Sequence, residues 1–262
     1  MDHADALVRL ASWTAGQWGL VTRAQAAQEG VDASRLTRLV QAGLLTAVAD
    51  GVYQLAGAPE PRHADIKSAW LATDPGTPAW RRLPPARPAA VISHSSACRL
   101  HQLGDLPAPV VEMLAPPGTP GAGPGRRLHH GPVLDPGHIA LVDGLPVTTP
   151  TRTITDLLHA GLDGAHIGAV IADAASRRLI SPGTLAPHVQ PFTHAYGLPL
   201  AATGHDLIDH LTAQAGERVS VEQVRRVLAQ ARAEDVAAAL LRLPAPWREQ
   251  LLRHLPHGAD GN

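Results

Sequence analysis

Between Ser34 and Gln41 the apolar positions Leu36, Leu39 and Val40 fall on one side of a helix, while Ser34, Arg38 and Gln41 fall on the other and Arg35 and Thr37 flank them. The stretch before it, HADALVRLASWTAGQWG, is amphipathic, offering Leu7, Leu10, Ala11 and either Trp13 or Trp18 to one side, and Gly19 breaks it. Thr22 then caps a short helix through Ala27 that Gly30 ends. Asp32 or Ser34 caps the third helix, and Gly43 closes it at C′. Apolar and polar residues alternate in LLTAV and again in VYQL on either side of Asp50-Gly51, a dipeptide suited to a tight hairpin turn. The order predicted for residues 1–55 is helix, helix, helix, β-ribbon.

Beyond a linker holding Pro59 and Pro61, the pattern predicts a helix from about His63 to Thr73. The proline-rich segment 74–88 predicts a loop, and a second unit starts at Ala89. There AAVIS, PVVEMLA, RRLHHGPV, HIALVDG and LPVTT predict short strands. HSSACRLHQLG predicts a helix stopped by Gly104, and 116–125 is too rich in Gly and Pro to pack. TPTRTITDLLHAG, DGAHIGAVIADAASRRL and SPGTLAPHV predict helices, the first with Pro150 in its opening turn. Helical spacing returns from about Gly204 to Leu255, with a capping box from Ser220 to Gln223. The expected fold class is α+β. Residues 1–57 form an N-terminal winged helix-turn-helix and 58–88 a linker with a helix and a Pro-rich loop. Residues 89–215 form a mixed α+β domain, and 216–262 a helical extension.

Composition narrows the classes. The 262 residues carry a formal net charge of −1, so no global basic field draws the chain onto nucleic acid. A single cysteine, Cys98, excludes an internal disulfide framework and a Cys-based zinc site, and suits a reducing cytoplasm. The opening MDHADALVRLAS lacks the basic and apolar regions of a secretory signal, and nothing is long and apolar enough to span a membrane. Localisation is therefore expected to be cytoplasmic.

The polar face of the third helix carries groups with reach. Arginine can fork onto guanine or clamp phosphate, glutamine can pair adenine, and serine can touch either. A major groove admits such a helix, and the ribbon around Asp50-Gly51 would lie beside it as a wing. Thr22 and Arg23, opening the second helix, would anchor phosphate. The candidate DNA-contacting set is Thr22, Arg23, Ser34, Arg35, Thr37, Arg38, Gln41, Asp50, Gly51 and Tyr53. Against this, residues 1–55 hold four arginines (9, 23, 35, 38) and five acids (2, 5, 29, 32, 50), so the unit is not basic, and a solvated arginine face is the bland account. Residues 60–130 hold eight basic residues against five acids, with Arg81, Arg82, Arg87, Arg126 and Arg127 in loops. These would supplement the DNA surface or simply keep the loops soluble.

Other chemistry fits less well. None of the fifteen histidines falls in a zinc-ligand spacing, and no metal or cofactor is expected. His94 instead caps the following helix or hydrogen-bonds near Ser95. A metal-dependent nuclease would need clustered carboxylates and a lysine, and Asp65-Ile66-Lys67 is the sole triplet that offers one. Arg152 and Asp156, four apart, suit an ion pair, and Thr149, Thr151 and Thr153 suit capping and turn bonds. Cys98 suits a small buried hydrophobe.

The segment GLVTRAQAAQEGVDASRLTRLVQAGLLTAVADGVYQLAG resembles the N-terminal winged helix of AbiEi-type antitoxins from type IV toxin–antitoxin systems. AVISHSSACRLHQLGDL and DGLPVTTPTRTITDLLHAG resemble the paired motifs of that family's C-terminal domain, and the resemblance covers about residues 5 to 215. It implies a cytoplasmic, non-enzymatic transcriptional autorepressor that binds inverted repeats in double-stranded promoter DNA, as a homodimer where the repeats demand one. It also implies an antitoxin role against a nucleotidyltransferase-type toxin. DNA recognition would rest on Ser34 to Gln41 and Ala49 to Tyr53. The extension from about Glu217 is an addition to the family pattern. The alternatives are a protein-interaction module without specific DNA binding, and a metal-dependent nuclease.

Overall fold

Gly19, at φ +78°, turns the chain out of helix α1 (His3–Ala15) and into strand β1 (Leu20–Thr22). The structure is a computed structural model, and it describes residues 2–83, 90–120, 123 and 125–216. Asp2 and Asp5 close a capping box on α1, whose Ala6 and Leu10 are buried. Helix α2 (Arg23–Gln28) starts on a second capping box, Thr22 with Gln25. Helix α3 (Ala33–Gln41) takes Asp32 as its cap, which places Ser34 inside the first turn. Gly43, at φ +69°, follows as the left-handed C′ residue that an L side chain would occupy only with strain.

The ribbon comprises β2 (Leu45–Ala49) and β3 (Val52–Leu55), turning at Asp50-Gly51 with a register shift between Ala47 and Ala49. β1 pairs with β3 to give a three-stranded sheet in the order β1-β3-β2, the winged-helix arrangement. β1 was not expected: three residues, all buried, show no alternation to detect.

Helix α4 (Ala64–Leu71) falls where the pattern placed it, with every residue from Ile66 to Leu71 buried. It sits inside an apolar cluster that joins Leu20 and Val52 of the winged sheet to Ile92, Met113 and Val147 of the second sheet. That second sheet has the order β6-β5-β4-β8-β7. Its strands are β4 (Val91–Ile92), β5 (Val111–Ala115), β6 (Arg126–His130), β7 (Ile139–Val142) and β8 (Leu145–Thr148). β4 runs parallel to β8 and β5 parallel to β6, while β4–β5 and β7–β8 are antiparallel.

Helix α5 (His94–His101) ends before Gly104, because Gln102 takes the left-handed conformation at φ +57°. Helices α6 (Pro150–His159), α7 (Gly164–Ser176), α8 (Pro182–Val189) and a helix over 204–216 enclose a separate cluster around Leu157, Ile167, Leu185 and Leu211. The expected capping box Ser220–Gln223 and the rest of the 216–262 extension lie outside the described residues, apart from Gly216.

Candidate nucleic-acid interface

Helix α3 is seated by Leu36 and Leu39, which are buried among Ala6, Leu10, Val31 and Leu45, with Val40 half-buried beside them. The Asp32 carboxylate accepts the Arg35 amide and the Ser34 hydroxyl, each at 2.8 Å. Those two bonds, the backbone one foremost, hold the Asp32 carboxyl below its usual range.

The outward face divides by occupancy. Arg38 and Gln41 are exposed, and neither side chain has a hydrogen bond or ion pair among the described residues. Arg35 is half-buried and reaches back to the Gly30 carbonyl at 3.4 Å. The Ser34 hydroxyl is engaged by Asp32, and the Thr37 hydroxyl donates to the Ala33 carbonyl at 3.0 Å. Tyr53 is half-buried against the same cluster that seats α3.

The start of α2 differs from what the sequence suggested. Thr22 is 1 % exposed. Its hydroxyl accepts the Gln25 amide and donates to the Pro75 carbonyl, so it is spent inside the protein and not offered to phosphate. Arg23 remains outside. Its amide donates to the Gly51 carbonyl at 2.8 Å, and its guanidinium lies 3.5 Å from Asp50. Asp50 itself is acceptor-only when ionised, so it meets a phosphate with repulsion.

A buried amide pair anchors this region to the rest of the molecule. Gln17 donates to Gln25 at 2.7 Å and Gln25 returns a bond at 3.1 Å. Gln17 also accepts the Ala79 amide at 3.0 Å, and Gln25 donates to the Thr77 carbonyl at 3.3 Å. The proline-rich 74–88 segment is therefore tied to the winged helix through its first part. Sequence reasoning missed this clasp, since neither glutamine stands in a motif; the only local sign was Gln25 at the third helical position after Thr22.

The loop arginines also separate. Arg82 is 3 % exposed. It lies over the Trp70 ring at 3.7 Å and donates to the Trp70 carbonyl and the Thr73 hydroxyl. Burial pushes it down to about 10, with Asp74 opposing. It is a structural tie, not a surface charge. Arg126 and Arg127 lie in strand β6 and not in a loop, Arg81 closes a short 3-10 turn, and Arg87 lies outside the described residues.

A second polar cluster surrounds the start of α5. The amide of Ser95 is capped by Glu112 from β5 at 3.2 Å, so the cap comes from across the sheet and not from His94. His94 stacks on His129 with ring centroids 3.8 Å apart, and His129 lies 3.2 Å from Glu112. Burial and the charge of His129 push His94 down to about 4. Arg152 and Asp156 form the expected ion pair at 2.8 Å. Thr153 bonds Thr148, whereas Thr149 caps α6 without a side-chain bond.

The triplet Asp65-Ile66-Lys67 is pulled apart by its partners. Asp65 pairs with Arg99 at 2.7 Å, and buried Lys67 pairs with Asp143 at 2.8 Å. Cys98 is buried and its thiol is pushed up to about 12 by that burial, which leaves no thiolate near neutrality. Among the described residues no three His, Cys, Asp or Glu side chains converge as metal ligands, and no helix is long and apolar enough to cross a membrane.

Comparison with known proteins places the first of these units. No curated protein matches the chain. Three solved chains do. One, the crystal structure of the RV2827C protein from Mycobacterium tuberculosis, is 16% identical with a TM-score of 0.47, over 80% of this chain and 77% of that one. The α+β architecture with its N-terminal winged helix is seen in the element order and the two sheets. Residues 8–56, which hold α1 to β3 except the first five residues of α1, match the family model described as transcriptional regulator, AbiEi antitoxin, the same family that the sequence resembles.

Proposed function

We propose that this protein is a sequence-specific DNA-binding transcriptional repressor, with α3 entering the major groove and the Asp50-Gly51 wing beside it. The observation that carries this reading is the pairing of a fully seated apolar face, Leu36 and Leu39, with two exposed, unengaged side chains, Arg38 and Gln41. Those two are the base-reading candidates. Arg35 is a weaker one, because its guanidinium already bonds Gly30. Ser34 and Thr37 hold secondary contacts that require breaking local bonds, and Gly51 and Tyr53 shape the wing. We assign the antitoxin role against a nucleotidyltransferase-type toxin to the same chain on the family match over residues 8–56.

The test is a gel shift on the chain's own upstream region. Arg38→Ala should weaken binding and relax preference at one base position by roughly 1–3 kcal/mol, and Arg35→Ala should do less. Unchanged affinity in both would remove the assignment of α3 as the reading helix. A second reading has its own support: five acids outnumber four arginines in residues 1–55, which favours a protein-binding winged helix. Salt separates the two, since a DNA binder loses affinity steeply as ionic strength rises.

A further inference from the structure

The winged unit lacks the surplus charge that DNA binding demands, and the fold supplies an arginine from elsewhere. A cleft of about 460 Å³ opens beside the wing turn, where Arg23 of α2 and Arg126 of β6 line the same space. Alanine, valine and proline form much of its wall, and Asp50 is the one carboxylate among the described residues that line it. Arg126 makes no ion pair among the described residues, and its guanidinium lies close over Gly123. The Arg23 guanidinium has one partner among the described residues, Asp50, at 3.5 Å, with the two side chains 56% and 93% exposed. A contact that open is worth little and is easily exchanged.

We infer that this cleft seats a backbone phosphate of the DNA whose groove α3 reads, held between Arg23 and Arg126, so that the second sheet contributes to the DNA interface. The inference rests on the proposed regulator function. Geometry supports it in two ways. The Gly51 backbone holds the Arg23 amide, which fixes Arg23 at the wing turn, and β2 of that wing packs on α3. A phosphodiester arriving there exchanges one weak carboxylate contact for two guanidinium contacts, and charge-assisted bonds from arginine to phosphate are among the stronger polar contacts. It also answers the charge deficit of residues 1–55, because Arg126 lies outside them.

Binding is measured with the full chain over a series of salt concentrations, on a duplex from its own upstream region and on a scrambled duplex of equal length. Arg126→Ala and Arg23→Ala should each lower the slope of log affinity against log salt by about one on both duplexes, leaving the preference between them unchanged. Arg126→Lys should keep the slope, and Asp50→Asn should raise affinity on both. Arg38→Ala should instead reduce the preference. If Arg126→Ala leaves the slope unchanged while Arg38→Ala still loses preference, the phosphate seat is wrong and the regulator reading stands. If wild type binds neither duplex, the regulator reading itself fails. Inorganic phosphate is titrated at constant ionic strength as a further arm. Arginine-dependent binding of phosphate, with no effect of Arg126→Ala on DNA, would make the cleft a small-anion site and overturn the inference.

Discussion

Protonating His94 works against the fold. His94 is 6 % exposed, stacked on His129, with Arg152 and Arg127 also nearby and Glu112 as the opposing, favourable charge. Its folded value of about 4 lies below the ordinary 6.5, so the unfolded chain binds the proton more readily. The sign follows: the stabilisation is complete above pH 6.5 and is lost as pH falls toward 4. His101, also held down by burial, acts in the same direction. Burial works to raise Glu112, but the bond from His129, the charge of His94 and the Ser95 amide outweigh it, so Glu112 adds its own loss only in stronger acid. Urea denaturation at pH 7.5 and pH 5 should show wild type losing stability, and His94→Phe, which keeps a stacking ring without the titrating group, losing less. Equal losses in the two proteins would mean that His94 does not carry the dependence. At this scale the sequence was informative where a residue acts on its immediate neighbours, as with Asp32 and the Arg152–Asp156 pair. It gives the Thr22 cap of α2 but not the bonds from Thr22 to Pro75 or from Arg82 to Trp70, which come from packing and not from spacing.

Helices and the hairpin were legible because their signals are local. Caps, the left-handed Gly43 and the Asp50-Gly51 turn are each written in a few adjacent residues. Strand β1 and the order β6-β5-β4-β8-β7 were not, since both depend on which distant strand lies alongside. Close helix packing is a further case. Gly168 of α7 has an ordinary helical conformation, and nothing in GAHIGAVIADAAS marks it out. In the fold a Cβ there would overlap the backbone of Leu211 in the 204–216 helix. Helix propensity alone favours Gly→Ala by roughly 0.5–1 kcal/mol, but overpacking of this kind costs about 1–3 kcal/mol or more. Gly168→Ala should therefore lower the denaturation midpoint. Gly183→Ala in α8, where a Cβ meets no atom of the described residues within 4 Å, should leave it unchanged or raise it. A stabilised Gly168→Ala would show that α7 and the last described helix do not approach so closely.

For the whole molecule, the question is whether the winged helix melts by itself. Residues 1–57 read as a self-contained unit, with their own cluster around Leu10, Leu36 and Leu39. The opposite face of the winged sheet has no such independence. Leu20 and Val52 pack with Ile66 and Trp70 of α4 and with Ile92, Met113 and Val147 of the second sheet. The Gln17–Gln25 pair binds the same unit to residues 77 and 79, and Lys67 ties α4 to Asp143 between β7 and β8. Excising the winged helix would expose this apolar face and strip several buried polar groups of partners. Ile66→Ala removes volume from the shared cluster, and such truncations cost about 2–5 kcal/mol. The loss should appear at once in the fluorescence of Trp18 and Trp70 in the shared cluster, read with Trp13, Trp80 and Trp247 replaced by Phe, and in amide-exchange protection of α1 and α3, which reports the winged helix beyond it. Should α1 and α3 keep wild-type protection in Ile66→Ala while the tryptophans report loosening, the winged helix would be an autonomous unit. A phosphate seat shared with Arg126 would then depend on a docking equilibrium and not on a fixed frame, because Arg126 stands on the second sheet and Arg23 on the first unit.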